Sequence, residues 1–298
     1  MTAVDTPLGG SAVTPEFERA NERLKRRQGF LMALPAYFYL IIFFVIPLLI
    51  VIVYSFATRT TSGTELGSWN LDSYRDLADP KILRILWRST WYALLTTFIC
   101  LLIAYPFAYY MSMQSATKRN LMLVFVMIPF WTNFLVRNYA WRVILGRNGP
   151  LTRVTEAIGL GETNLLFTPT AVILGLVYGF LPFMILPLYA AIERLDGRLL
   201  EASRDLYATG FQSFRHVLLP LSMPGVIAGS ILVFVPSLGA YVTPEVLGGT
   251  KTLLLGKFIV DRFLTARNFP FGASLSFVLM SVMLVTTIVY FRKGGRTL

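Results

Sequence analysis

The residues that could carry catalysis are few in this chain of 298 residues. There is one histidine, His216, and one cysteine, Cys100, which excludes two-histidine metal motifs and an internal disulfide. The nearest match to a phosphate-binding loop, Gly256-Lys257-Phe258, lacks the hydroxyl residue and the first glycine of that motif. We therefore expect a chain that is not an enzyme and that binds no metal and no cofactor of its own.

Aromatic and polar residues at two places in the chain offer a different chemistry, the binding of an organic cation. They are Trp131, Asn133, Tyr139, Tyr241 and Glu245. Ring faces and carboxylates attract amines, so we interpret these residues as a tentative substrate path. Two alternatives stay open, because aromatic residues also form belts at membrane surfaces and Glu245 suits a solvated loop. Arg137 would repel a cation and is expected to pair, to cap a helix or to contact a partner protein.

The segment from residue 193 to residue 225 predicts a structure suited to docking. Leu195, Leu199 and Leu206 share one helical face. Gly210 is predicted to end this helix, and a second helix follows before the chain enters the next apolar run. A short amphipathic helix of this kind suits binding to a cytoplasmic partner, and the alternative is a helix that lies flat on the lipid surface.

The elements that hold these residues are membrane helices. Apolar residues make up 55% of the chain and charged residues only 14%, against about 25% in an ordinary soluble domain. Six candidate spans cover residues 30–57, 91–113, 121–136, 170–192, 223–242 and 271–291. Five are long enough to cross a bilayer, and the short third one is expected to continue past Arg137 as one helix. The sequence predicts an all-α membrane protein with six transmembrane helices.

Basic residues gather beside the ends of the first and last spans. Four lie between residues 23 and 27, three follow residue 291, and the net charge is +11. This pattern fits a chain that contacts the lipid bilayer and no nucleic acid, and because six spans put both termini on one side, we predict that both are cytoplasmic. The predicted organisation is a flexible N-terminal tail (1–29), a six-span domain (30–291) with a coupling loop at about 193–222, and a basic C-terminus (292–298).

One segment resembles a known family. Glu201-Ala202-Ser203, followed by Leu219-Pro220 and Pro224-Gly225, resembles the EAA loop of bacterial ABC importer permeases. The resemblance implies the type I ABC importer permease fold and a cytoplasmic coupling helix that sits in a cleft of the ATPase subunit. The pattern expects glycine where this chain has Tyr207, and its nearest glycine is Gly210. The coupling residues that the resemblance implies are Glu201, Ala202, Ser203, Asp205, Leu206 and Gly210.

Other segments are similar to the polyamine branch of these permeases. They include Tyr105-Pro106-Phe107-Ala108-Tyr109, Pro129-Phe130-Trp131-Thr132-Asn133 and Leu181-Pro182-Phe183-Met184. This resemblance implies the first permease subunit of a spermidine/putrescine importer in the bacterial inner membrane. An importer of an opine or another cationic compound is the alternative, because such importers share the scaffold.

The resemblance also implies partners. They are a second permease subunit, two copies of an ABC ATPase subunit that binds ATP and magnesium, and a periplasmic solute-binding protein. A self-contained secondary transporter is a further alternative, but it would need ionisable residues inside its spans, and the five long runs have none. A membrane scaffold would not predict the Glu201-Ala202-Ser203 segment.

Overall fold

A computed structural model describes residues 32–58, 68–158, 165–249 and 252–294. Their helices, in chain order, are α1 (Met32–Ser55), α2 (Asp72–Asp76), α3 (Pro80–Ser112), α4 (Ala116–Trp131), α5 (Phe134–Leu145), α6 (Pro150–Ala157), α7 (Pro169–Glu193), α8 (Gly197–Asp205), α9 (Gly210–Ser213), α10 (Leu219–Leu238), α11 (Val242–Gly248), α12 (Leu255–Leu264) and α13 (Phe269–Gly294). The predicted all-α membrane fold is confirmed. The predicted N-terminal tail and residues 295–298 lie outside the described part of the chain.

Five helical segments are long and apolar enough to cross a membrane, and a bent pair raises the number to six. The chain divides after Val53, so that most of α1 forms one unit and the remaining helices form the other. Helix α1 contains a π-helical turn at Ile41–Val45. A second π turn, Phe214–Leu218, joins α9 to α10 and makes one continuous helical segment. These spans carry the apolar runs that the sequence predicts.

Helix α3 begins at Pro80, well before the apolar run that predicts it. The side chain of Asp79 accepts a hydrogen bond from the backbone N–H of Lys81 at 2.8 Å, and Pro80 occupies the first turn, where its missing donor costs nothing. The added turns mix apolar residues with the charged Lys81, Arg84 and Arg88. They extend beyond the apolar run because a good cap, rather than hydropathy, sets where the helix starts.

Helices α3, α7 and α10 pack together around the main core. Ala104, Ala108, Met184 and Leu188 are fully buried there. The helices approach closely because small residues line the contact. A β carbon on Gly225 of α10 would lie only 2.4 Å from the β carbon of Ala191 and 2.8 Å from the carbonyl oxygen of Pro187. Small residues at a contact between membrane helices allow such close backbone packing.

The third predicted span is broken, and the expectation of one helix past Arg137 is wrong. Helix α4 ends at Trp131, and the direction of the chain changes by 90° before the next helical stretch. Thr132 is extended, and the side-chain oxygen of Asn133 accepts hydrogen bonds from the backbone N–H groups of Leu135 and Val136, which starts α5. A strong cap inside an apolar run therefore divides it.

The fifth span also differs from its prediction. The helix ends at Leu238 instead of continuing to residue 242, and α11 starts separately at Val242. Gly256 of α12 lies against the chain between them, because a β carbon there would be 2.4 Å from the carbonyl oxygen of Gly239. The break thus forms where another part of the chain approaches the backbone directly.

Candidate functional site

The segment between α7 and α10 folds as two short helices joined by a tight turn, as predicted. Helix α8 begins after Asp196, whose carboxylate accepts a hydrogen bond from the backbone N–H of Arg198 at 3.0 Å. Helix α9 begins with a reciprocal capping box between Thr209 and Gln212. Gly210 is the first residue of α9, so its predicted role as the end of α8 is wrong. The chain near Gly210 therefore starts a helix, capped by Thr209, instead of ending one.

Tyr207 makes the turn that follows α8. Its φ angle is +61°, in the left-handed region that favours glycine. The backbone N–H of Tyr207 donates to the carbonyl of Arg204 at 2.9 Å, and that of Ala208 donates to Ser203 at 3.1 Å. This is the position at which the EAA pattern expects glycine. Tyrosine in place of glycine therefore keeps the same turn, but it adds about 1 kcal/mol of backbone strain.

Replacing Tyr207 by glycine is expected to stabilise the α8–α9 turn by about 1 kcal/mol, because glycine adopts a positive φ without steric cost. The side chain is 96% exposed, so little packing is lost. Thermal unfolding of the purified protein measures the change, and Tyr207→Ala serves as the control because alanine keeps the strain. Equal unfolding temperatures for the two variants would contradict the strained-turn explanation.

Five of the predicted coupling residues lie on the outer surface of this segment. Glu201, Ala202, Asp205, Leu206 and Gly210 are exposed. Ser203 is buried, and its hydroxyl lies 2.7 Å from that of Ser213 and 2.8 Å from the carbonyl oxygen of Leu200. Ser203 therefore ties α8 to α9 instead of facing a partner.

The face of α8 that meets the core differs from the predicted leucine stripe. Leu195 and Leu200 pack against the main core, whereas Leu199 is 46% exposed and Leu206 is 82% exposed. The helix begins only at Gly197, so counting helical periods from Leu195 starts before the helix does. The exposed leucines leave apolar surface on the outside of the segment.

We call Glu201, Ala202, Asp205, Leu206, Tyr207 and Phe211 the coupling surface. All six are exposed, and the largest apolar side chains among them, Leu206, Tyr207 and Phe211, are between 69% and 96% exposed. Apolar side chains next to carboxylates are typical of a surface that binds another protein.

Side-chain contacts connect the coupling surface to the membrane helices. Phe214 follows α9 directly, and its ring meets that of Tyr105 on α3 edge-on, with centroids 5.2 Å apart. The hydroxyl of Tyr105 lies 2.7 Å from that of Ser222 on α10. On the same side, Arg119 of α4 and Glu193 of α7 form an ion pair of 2.9 Å. A displacement of α8 and α9 would thus reach α3 and α10 through packed groups.

The predicted substrate-path residues of the third span lie around its break. Trp131 is 76% exposed and Tyr139 is 54% exposed, while the side-chain oxygen of Asn133 caps α5. Arg137 donates a hydrogen bond to the carbonyl of Pro129 at 2.7 Å, and its guanidinium lies over the rings of Phe134 and Tyr178. Of the roles expected for Arg137, capping of a helix end fits this geometry.

The remaining two residues lie at the start of α11. The backbone carbonyl of Tyr241 accepts from the N–H of Glu245 at 3.0 Å. The carboxylate of Glu245 forms a 2.9 Å ion pair with Lys257, whose ammonium also donates to the carbonyl of Gly249. Helices α5 and α11 pack against each other, so both groups of residues lie on neighbouring elements. Their contact with a substrate stays a prediction, and a cation would compete with Lys257 for Glu245.

The chain matches a known family along nearly its whole length. Residues 24–292 match the family described as "Binding-protein-dependent transport system inner membrane component". The chain belongs to this family. The resemblance that starts at Glu201-Ala202-Ser203 is therefore confirmed, and the protein is a transport permease of the inner membrane.

Curated relatives and solved structures agree with this assignment. The spermidine/putrescine transport system permease PotB of Haemophilus influenzae is 45% identical over 258 residues, covering 86% of this chain and 90% of that protein. PotB of Escherichia coli is 41% identical, with 86% and 94% covered. A bacterial alginate ABC transporter in complex with its alginate-bound periplasmic protein shares the fold, with a TM-score of 0.72 at 17% identity over 91% of this chain and 96% of that one.

Proposed function

We propose that this chain is one permease subunit of an ATP-driven ABC importer that carries spermidine or putrescine across the inner membrane. The observation that carries the proposal is its 45% identity to a spermidine/putrescine permease over 86% of the chain. The identity extends across the spans, where a cargo has to pass.

The local chemistry is compatible with a cationic cargo. Trp131, Tyr139 and Tyr241 present exposed or half-exposed rings, which attract an ammonium group, and Glu245 supplies a carboxylate. A polyamine carries several charges and is costly to dehydrate, so its path needs further acids. Because Arg137 adds positive charge at the break in the third span, we assign those acids to the sister permease.

The proposed assembly contains a second permease, two ATPase subunits and a periplasmic solute-binding protein. The exposed coupling surface supports the ATPase as a partner, because it joins carboxylates to apolar side chains on the short helix α8 and at the start of the α9–α10 segment. In this arrangement ATP and magnesium bind to the ATPase, and the chain itself has no catalytic role. Both termini are cytoplasmic, as is the coupling surface.

Uptake by the assembled complex in proteoliposomes tests the cargo. We expect labelled putrescine or spermidine to accumulate with ATP inside and the binding protein outside, and the unlabelled polyamines to compete. Sugars, neutral amino acids and anions should not compete. Competition by a sugar or an anion without any by polyamines would overturn the assignment, and competition by an opine alone would move the cargo to another cationic compound.

Cysteine labelling tests the proposed orientation. Thr117 lies in the first turn of α4 on the side of the coupling surface, and Leu71 lies on the opposite side, directly before α2. Both are exposed, and the native Cys100 is fully buried. In intact cells a membrane-impermeant thiol reagent should label Leu71→Cys and miss Thr117→Cys until the membrane is permeabilised. The reverse pattern would place the termini outside.

A further inference from the structure

A charged cleft lies at the start of α3, at the end of the molecule opposite the coupling surface. It has a volume of about 650 Å³ and is walled by α3, α12 and the start of α13. Its ionisable side chains are those of Lys81, Arg84, Arg88, Arg262, Asp76 and Asp79. Cations therefore outnumber acids, and the volume is in the range of about 300–1,000 Å³ that is common for sites of small ligands.

The arginines of this cleft are available to a ligand. Within the described residues, Arg84, Arg88 and Arg262 have no carboxylate within 4.0 Å, although two acids line the same cleft. The carboxylate of Asp79 is engaged in capping α3. Arg262 is oriented by two rings, since its guanidinium lies 4.5 Å from the ring centroid of Phe258 and 5.5 Å from that of Phe271.

Two exposed tryptophans beside the cleft indicate its level relative to the lipid headgroups. Trp87 and Trp91 of α3 are 71% and 54% exposed, and tryptophans on a membrane helix mark the interface between lipid and water. Arg84 and Arg88 are one turn apart on α3, next to these tryptophans on the helix surface. By this criterion the arginines are at the level where lipid phosphates lie, on the side of α3 that adjoins these exposed rings.

We propose that this cleft binds the phosphate of a membrane glycerophospholipid, with Arg84, Arg88 and Arg262 around the headgroup. Guanidinium groups bind phosphate oxygens through paired, charge-assisted hydrogen bonds. A cationic cargo would be repelled by the same groups, so the cleft is not an extension of the substrate path. The inference depends neither on the cargo nor on which side of the membrane the termini face.

The test measures lipid binding by the purified, full-length permease in its native complex after removal of lipid. Native mass spectrometry gives the affinity for dioleoyl phosphatidylglycerol, for dioleoyl phosphatidylcholine and for dioleoylglycerol, which has no phosphate. We expect the phospholipids to bind and dioleoylglycerol to bind much more weakly. The double variant Arg84→Gln/Arg88→Gln should bind the phospholipids at least about tenfold more weakly, because two charged contacts are lost.

Matched variants complete the design. Arg153→Gln removes an exposed arginine from α6 and should leave lipid binding unchanged. Arg84→Lys/Arg88→Lys keeps the charge and should retain most of the affinity for phospholipid. If the double glutamine variant does not fold, Arg262→Gln removes an arginine from the α12 side of the same cleft instead. Unchanged phospholipid binding in the glutamine variants, or equal binding of dioleoylglycerol, would overturn the proposal. If the glutamine variants bind phospholipid normally but bind the solute-binding protein more weakly, the cleft is instead a contact site for an acidic surface of that protein. Because no transport is measured, this result and the uptake result are independent.

Discussion

A permease that is inserted in the membrane but does not transport is the expected result of replacing Glu201 by lysine. Glu201 is exposed in the middle of α8 and belongs to the coupling surface, together with Leu206 and Phe211. If this surface docks on the ATPase, the new positive charge removes a charged contact and adds repulsion. Loss of one partner of such a contact costs about 2 kcal/mol or more, which weakens binding about thirtyfold. Co-purification of the ATPase and ATP-dependent uptake both measure the effect.

Glu156→Lys is the matched control for this experiment, because Glu156 is also exposed and lies on α6, away from the coupling surface. It makes the same change of charge and should leave uptake and ATPase binding unaltered. Normal uptake by the Glu201→Lys variant would remove the docking interpretation of α8. A loss of lipid contact alone would leave the ATPase bound, so co-purification separates the two interpretations of the helix.

Loss of the folded membrane domain is the second large effect, and we expect it from Gly225→Leu. The first side-chain atom at this position would already lie 2.4 Å from Ala191 and 2.8 Å from the carbonyl oxygen of Pro187. That carbonyl belongs to the backbone of α7 and cannot rotate away, so α10 has to separate from α7. Overpacking a tight core costs about 1–3 kcal/mol, and a leucine here adds three further carbons to the clash.

The unfolding temperature of the purified protein and its recovery as a single species in size-exclusion chromatography measure this loss. Gly197→Leu is the control, since a β carbon at Gly197 has nothing within 4 Å. It should unfold like the natural protein, whereas Gly225→Leu should unfold at a lower temperature or aggregate. Similar stability of the two variants would show that α7 and α10 can move apart without cost.

Local patterns predicted most of the membrane fold. Uncharged runs as long as a bilayer is thick have to form helices, because the backbone has no water to bind inside the lipid. Helix α7, observed at Pro169–Glu193, therefore lies within a residue of its predicted run at each end. The helix–turn–helix arrangement of α8 and α9 was also predicted, although the leucines of the predicted face are partly exposed and Thr209 rather than Gly210 sets the boundary.

Single residues explain the predictions that failed. Asn133 lies inside an apolar run, where nothing in the spacing shows that its side chain caps a new helix. Arg137 stabilises the break by binding the carbonyl of Pro129. In each case the outcome depends on which polar group finds a hydrogen-bond partner in the fold. The order of residue types along the sequence does not contain that information.

The sequence by itself determined the membrane class, the number of apolar runs and, through Glu201 and its neighbours, the family. These are local properties, since each depends on a continuous stretch of chain and on backbone hydrogen bonds within it. The tertiary structure alone decided that Gly225 meets Pro187, that Glu245 pairs with Lys257 and that three arginines share a cleft. Those outcomes join residues distant in the chain, and they follow from close packing and from the cost of leaving buried polar groups without partners.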